Sequence, residues 1–481
     1  MSQARFTSCI PLPLDQKKLV NVIEKAKDWA LMHGVGMRDR KHFNKDVIQI
    51  APFALLPSPF PRAEFEKAVE LQPVLNELMH KVAHDDEFLM GTLQNALQVD
   101  EFTANLYDIW MKVRNEEIRQ SLSLGLFRSD YLMQQADKYK IKQVEFNTIA
   151  TSFGAISSRL PAMTRYILRQ LGHGDLVKNM PENHALSGLC AGIISAYDLF
   201  GVPSAVVLFV VEEVSYNICD QRFHEFEISE KRPDIMIHRM TLNEIYEETQ
   251  LNDKKQLMIE GSPVAVVYYR SGYEPAQYPS SKEWEARLRV ERSTAIKCPS
   301  IHYQLAGTKK VQQALAAPGV LEKFMGDSAA TNRVRDIFTG LYSLDFDESG
   351  ERAVEMALAD AEKFVLKPQR EGGGNNMYGA EVREALLRMR HSRERAAYIL
   401  MERILPPLVP GYVIRPGGPL PPPVVDIVSE LGIYGVIIGT KEKVYQNCQV
   451  GHVLRSKLAD ANEGGVAAGL GALDSPYLVT M

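Results

Sequence analysis

From about residue 140 onward the chain alternates short β-branched or apolar runs with amphipathic helical stretches, and this alternation restricts it to an α/β architecture. The runs are "VPSAVVLFVV", "PVAVVYY", "KFVLK", "AYILMERI" and "GIYGVIIG". Between them, "KEWEARLRVERS" and "GAEVREALLRMRHS" carry helical spacing. The preceding portion reads differently. "LVNVIEKAKDWALMHGV" and "FEKAVELQPVLNELMHKVA" repeat apolar residues every three or four positions, so a mainly helical start precedes the alternating body.

A length of 481 residues suits about three units of ~150 residues, or one enlarged enzyme body with insertions. The segment from about 204 to 305 opens on a strongly apolar strand and reads as a candidate inserted domain, whereas the proline-rich 405–425 reads as an exposed connection. The net charge of −5 gives no sign of a nucleic-acid partner or a polybasic membrane surface. "MSQARFTSCIPLPLDQKK" lacks the signal-peptide pattern, and the apolar run 205–211 is too short to span a bilayer. Five dispersed cysteines without a CxxC pair read as reduced thiols rather than a disulfide framework or a zinc site. A cytoplasmic protein is expected.

Three stretches carry chemistry. In "FVLKPQREGGGNNMYG" (364–379), Val365 and Lys367 share a strand face and Leu366 points away. A strand-end ammonium followed by glycines suits a phosphate, because a loop without Cβ atoms lets backbone N–H groups approach its oxygens. Glu371 would add a hard oxygen ligand for magnesium beside that phosphate. The competing reading is a charged turn whose glycines supply positive φ. Walker A and GxGxxG patterns are both absent.

"KQVEFNTIATSFG" (142–154) reads as a strand entering a small-residue loop. Glu145 and Asn147 share one face, a carboxylate beside an amide oxygen that would make half a Mg²⁺ site, while Val144 and Phe146 take the other. An ordinary amphipathic strand would show the same pattern. The hydroxyls of Thr151 and Ser152 are placed to hold a substrate carboxylate. In "GHVLRSKLADANEGGVAAGLGALDSPY", Arg455 and Lys457 share a face if extended, suited to phosphate or carboxylate, or to solvent alone. "LAGTKKVQQAL" sets Lys309 and Lys310 at a helix start, where a nearby anion would offset their conflict with the helix dipole.

Together with "LGLFRSDY", "WEARLRVERS", "YILMERI" and "SELGIYGV", these segments run in one order from about residue 120 to the C-terminus, and on them the chain resembles the eukaryotic glutathione synthetases, a family of ATP-grasp ligases. The resemblance implies an ATP-grasp-like fold with a glycine-rich lid, divided into an N-terminal part of the body (1–203), an inserted substrate-binding domain (204–307) and a C-terminal ATP-binding part (308–481). It implies ligation of γ-glutamylcysteine with glycine through an acyl phosphate, giving glutathione, ADP and phosphate, with two Mg²⁺ ions, ATP as co-substrate and a homodimeric assembly. No nucleic acid or membrane partner is expected.

Residue by residue, the resemblance places Glu145, Asn147 and Glu371 on the metals, and Lys309, Lys367 and Lys457 at the nucleotide. Gly372, Gly373, Gly374, Asn375 and Asn376 would close over ATP, followed by Tyr378. Met401, Glu402, Arg403 and Ile404 would lie beside adenine and Glu430 at the ribose. Arg128, Ser152 and Arg455 would position the reacting carboxylate; Thr151, Asn217, Gln221, Arg270 and Tyr273 would complete the dipeptide site, and Val466 and Ala467 the glycine end. Two departures stand out: Ala150 where serine is common, and Glu463, also assigned to the ATP site, where aspartate is common. The "GGVAAG" loop favours glycine over the β-alanine or serine of homoglutathione-type ligases. A non-catalytic binding protein would be expected to lack Glu145, Asn147, Glu371 or Lys367, and all four are present.

Overall fold

The computed structural model describes residues 3–462, 465–466 and 471–481. Among them, the central sheet is built around three long strands, Ser123–Gln134, Val425–Gly439 and Val444–Leu458. Val425–Gly439 runs antiparallel to both neighbours, and Lys140–Asn147 returns antiparallel along Ser123–Gln134. The strands of the 204–307 segment extend this same sheet: Ile296–Cys298 joins Ser123–Gln134 in parallel, then Ser262–Tyr269, then Val206–Val210.

Alternation along the strands feeds two cores. Leu126, Val436 and Ile438 pack into one, with the helices Gly154–Gln170 and Ala185–Phe200. Phe127, Ile433 and Ile437 pack into the other, with the helix Arg62–Ala83. Adjacent residues facing opposite apolar layers explain why "GIYGVIIG" is continuously hydrophobic, as a strand covered on both faces must be. The early helices Gln16–Met32, Arg62–Ala83 and Glu101–Asn115 match the periodicity of the first portion.

A second, four-stranded sheet lies in 341–402, in the order Leu341–Ser343, Tyr398–Glu402, Phe364–Pro368, Met377–Tyr378. It owns a separate core that includes Leu366, Leu386 and Leu400. Lys310 ties it to the body through Ser343 Oγ (2.8 Å) and Asp345 Oδ2 (2.7 Å). The proline-rich 405–425 is not wholly exposed. Val409–Gly411 pairs with the central strand and Val413–Ile414 with Phe53–Ala54, burying Tyr412; the mainly exposed part is confined to 415–424. No helix among the described residues is long and apolar enough to cross a membrane.

Candidate active site

A cavity of about 310 Å³ lies between the two sheets. Lys140–Asn147 brings Glu145 and Asn147 to it, and Phe364–Pro368 brings Val365 and Lys367 while Leu366 enters the small-sheet core. Arg455 and Lys457 arrive together from Val444–Leu458, and the residue between them, Ser456, turns its hydroxyl the other way. Period-two geometry accounts for each of these placements. Val144 is the exception. The strand bulges between Asp130↔Glu145 and Tyr131↔Gln143, so Val144 has no cross-strand partner; it lines the cavity, and its carbonyl accepts from Lys367 Nζ at 2.8 Å. An extra residue in one strand breaks the alternation of faces and re-aims its neighbours, which simple period-two reasoning does not anticipate.

Glu145 and Glu371 converge on one ammonium: Lys309 Nζ lies 3.0 Å from Glu145 Oε2 and 2.9 Å from Glu371 Oε1. Burial disfavours every charge here. Lys309 and Lys367 overcome that for Glu145, whose pKa falls below the carboxylate range. At Glu371 burial prevails over Lys309, and its pKa is raised. Burial also lowers the pKa of Lys367, against the pull of Glu145. Two half-buried carboxylates sharing one buried lysine form a set that further positive charge would stabilise. Asn147 spends its Nδ2 on Arg128 O (3.2 Å) and Asp130 Oδ2 (3.0 Å), which leaves its Oδ1 as the ligand atom. This oxygen donor set fits Mg²⁺.

The carboxylate end is organised by two buried aspartates that motif reasoning missed. Asp130, with no solvent exposure, takes Arg128 in a fork (2.6 and 2.8 Å), Arg455 Nη2 (2.9 Å) and the Asn147 amide. Its position two residues after Arg128 on one strand was the available signal. Asp220, equally buried, accepts from the Phe153 and Ala155 N–H groups and from Arg270 Nη2, all at 2.9 Å. It thereby fixes the 148–153 loop, whose Ala150 (φ 51°) and Phe153 (φ 74°) hold left-handed conformations costly for side-chain-bearing residues. Nothing local to "NICDQRF" announces that role.

Ser152 Oγ accepts from Arg270 Nη2 (3.1 Å), while Arg270 Nε and Nη1 are buried without a partner. Such atoms are costly unless a ligand meets them. Thr151 lines the cavity and donates its hydroxyl proton to Leu126 O (3.1 Å). Tyr434, also missed, donates to Ser152 O at 2.6 Å.

Among the described residues the cavity lining further includes Tyr273, Gly372, Gly373, Asn376, Tyr378, Met401, Glu402, Arg403, Ile404, Glu430 and Val466. Glu430 pairs with Arg455. Gly372, Gly373 and Gly374 hold φ of 92°, 73° and 80°, and a Cβ on Gly372 would lie 3.3 Å from the Tyr273 ring. A run of three left-handed residues beside a ring is a demand glycine meets at low cost. Lys309, Gly374 and Asn375 stand just outside the lining. So do Asn217 and Gln221, at the start of helix Ile218–Lys231; Asn217 Oδ1 is buried without a partner, and Gln221 accepts from Arg239 (2.8 Å). Glu463 and Ala467 lie outside the described residues.

Behind the cation-bearing strand, Asp474 Oδ2 accepts from Ser456 Oγ and Ser58 Oγ, both at 2.5 Å. Burial outweighs these bonds and raises its pKa from 3.8 to about 6. The native state therefore keeps a proton that the unfolded chain has released. The associated stability is full below the unfolded value and is lost as pH rises through about 6. Asp474→Asn, which cannot ionise, is expected to gain about 2–3 kcal/mol on the wild type between roughly pH 4 and pH 7. Denaturant unfolding at the two pH values measures it, and a difference independent of pH would refute the assignment.

A cleft between a large sheet and a small glycine-looped sheet, with lysines and carboxylates at the facing strand ends, defines an ATP-dependent ligase of the ATP-grasp type. Residues 16–478 match the family model for the eukaryotic glutathione synthase ATP-binding domain. The glutathione synthetases of Xenopus laevis and Homo sapiens are each 44% identical to the chain over 469 residues, covering 97% of it and 98% of theirs. The chloroplastic glutathione synthetase of Arabidopsis thaliana is 38% identical over 475 residues, 97% of this chain and 86% of its own. The solved structure of a glutathione synthetase-like effector (GSS30) from Globodera pallida, in apo form, superimposes with a TM-score of 0.79 at 25% identity, covering 98% of this chain and all of the effector. The chain belongs to the eukaryotic glutathione synthase family.

Proposed function

We propose that the protein joins the cysteinyl carboxylate of γ-glutamylcysteine to the amine of glycine, converting ATP to ADP and phosphate. The observation that carries this reading is one cavity lined by Glu145, Glu371 and Lys367 at one end and by Arg128 and Arg455 at the other, with Lys309 bridging the two carboxylates and Arg270 standing behind Ser152, outside the lining. A carboxylate oxygen takes the γ-phosphoryl group and ADP leaves. The glycine ammonium gives up one proton, the neutral amine attacks the acyl carbon, the carbon–oxygen bond to phosphate breaks, and a second proton leaves the nitrogen, so that the new amide keeps one N–H. The protein supplies alignment and charge balance for both transfers, with no side-chain nucleophile.

In this scheme Lys309, Lys367 and Lys457 balance the phosphate chain. Arg128, Ser152 and Arg455 orient the reacting carboxylate and meet the charge that develops on its oxygens. Arg270 offers its two unpartnered nitrogens, with Asn217, Gln221, Thr151 and Tyr273 around the dipeptide. Met401 to Ile404 flank adenine and Glu430 the ribose. Glu145, Asn147 and Glu371 would hold two Mg²⁺ ions, whose chemistry is neutralisation of phosphate charge. The loop from Gly372 to Asn376 and the one containing Val466 would shut water from the acyl phosphate.

The division at 203/204 and 307/308, a homodimer and a cytoplasmic location belong to the same proposal. Light scattering should return twice the chain mass, and a monomer would remove the dimer from it. The decisive assay follows ADP and glutathione while ATP, Mg²⁺, γ-glutamylcysteine and glycine are omitted in turn. Equal formation of both products only with all four is the expected outcome; ADP without glutathione would refute the ligation. Glycine should also outpace β-alanine and serine, by roughly ten-fold or more if one methylene or hydroxymethyl group must be fitted into a closed loop. Faster turnover of β-alanine would overturn the amine assignment.

A further inference from the structure

The segment Gln3–Phe6 lies far in sequence from the nucleotide-binding strands, yet Gln3 lines the same cavity as Met401 to Pro406. The stretch after Glu402 contains Pro406 and Pro407, which have no N–H to donate to a sheet. Its placement therefore depends on partners from outside. The Phe6 N–H donates to Leu408 O and the Leu408 N–H to Ala4 O, both at 2.8 Å, closing a parallel bridge. Gln3 Nε2 donates to Pro406 O at 2.7 Å. The turn after Ser123–Gln134 grips the same stretch: the Gln135 N–H donates to Leu405 O (3.0 Å), and Gln134 Oε1 accepts from the Leu405 N–H (3.2 Å). The segment is anchored in turn, with Ala4 N–H donating to Gln135 Oε1 (2.7 Å), Arg5 paired with Asp426 and Phe6 edge-on to Tyr139.

We infer that Gln3–Phe6 is a clasp that positions the base-binding wall of the nucleotide cleft, with Gln3 a positioning residue for the purine end of ATP. The inference rests on the proposed assignment of Met401 to Ile404 to adenine. Met401 and Glu402 are held in the small sheet and the Arg403 N–H donates to Lys363 O (2.8 Å), but the stretch that continues the wall from Leu405 carries two prolines and takes its bonds from the clasp and from Gln134 and Gln135. The clasp supplies two backbone bonds and one side-chain bond to 406–408, close in sequence to the proposed adenine contacts. Arg5 is exposed and Asp426 partly so, and a surface pair of this kind changes little in global stability when removed.

The test uses the full chain with Gln3→Ala and Arg5→Ala, alone and combined, and Arg5→Lys as the conservative control. Equilibrium binding of Mg²⁺–adenylyl imidodiphosphate is measured beside the KM values for ATP and for γ-glutamylcysteine. The combined variant should bind the analogue roughly five- to ten-fold more weakly, as expected for the loss or loosening of one or two hydrogen bonds. Its KM for ATP should rise in step while KM for γ-glutamylcysteine stays put, and Arg5→Lys should restore most of the affinity. Variant binding equal to wild type overturns the clasp alone. So does a uniform rise in both KM values accompanied by a lowered melting temperature, which marks a merely structural role. Wild-type protein that fails to bind the analogue overturns the nucleotide assignment and the clasp with it.

Discussion

Asp130→Ala should abolish ligation and cost about 3–5 kcal/mol of stability, the range for breaking a buried ion pair from one side. The carboxylate is wholly buried and meets two guanidiniums and an amide. Its loss leaves Arg128 without either rung of the fork, and Arg455 with Glu430 as its remaining carboxylate partner. It also leaves the Asn147 amide with the Arg128 carbonyl in place of two acceptors, which loosens the oxygen proposed for the metal. Asp130→Asn keeps the shape and removes the charge, so it should fold more securely while still losing most of kcat/KM. Denaturant unfolding and initial rates on both variants separate the effects. Stable, active Asp130→Ala protein would show that the arginines are held by something else.

Lys309→Met should lower kcat by about 10²–10³, the scale for removing one preorganised charge from a developing anion. Without the ammonium, the half-buried Glu145 and Glu371 face each other with no cation between them, and the pKa of Glu371, already raised, must rise further. The loss should deepen as pH rises, because the second carboxylate is then forced to ionise unpaired. A pH–rate profile of the variant beside the wild type measures this. Turnover within about threefold of wild type at all pH values, against the 10²–10³ expected, would mean that Lys309 serves only to neutralise Glu145 and Glu371.

Much of this site was legible because strand periodicity is local. Val365 and Lys367, Glu145 and Asn147, and Arg455 and Lys457 reach one cavity as pairs two residues apart, and the run of glycines adopts the backbone that only glycine takes cheaply. Val144 was misplaced because a bulge depends on the partner strand's register rather than on the strand's own composition. The proline-rich 405–425 was misread in part for a similar reason. Short edge strands at Val409–Gly411 and Val413–Ile414 exist only where a neighbour supplies the other half of each bond.

The α/β class, the family and the pairs of charged and polar residues that share a strand face were determined by the order of amino acids, because side-chain type and alternation are properties of a few consecutive residues. Tertiary structure alone decided which buried carboxylate holds which arginine. Asp130 reaches Arg455 across 325 positions, and Asp220 reaches Arg270 across 50. Such partnerships form only when packing removes both groups from water and leaves each as the other's available hydrogen-bond partner. A buried charge acquires its role from what surrounds it, and those surroundings exist only in the folded chain.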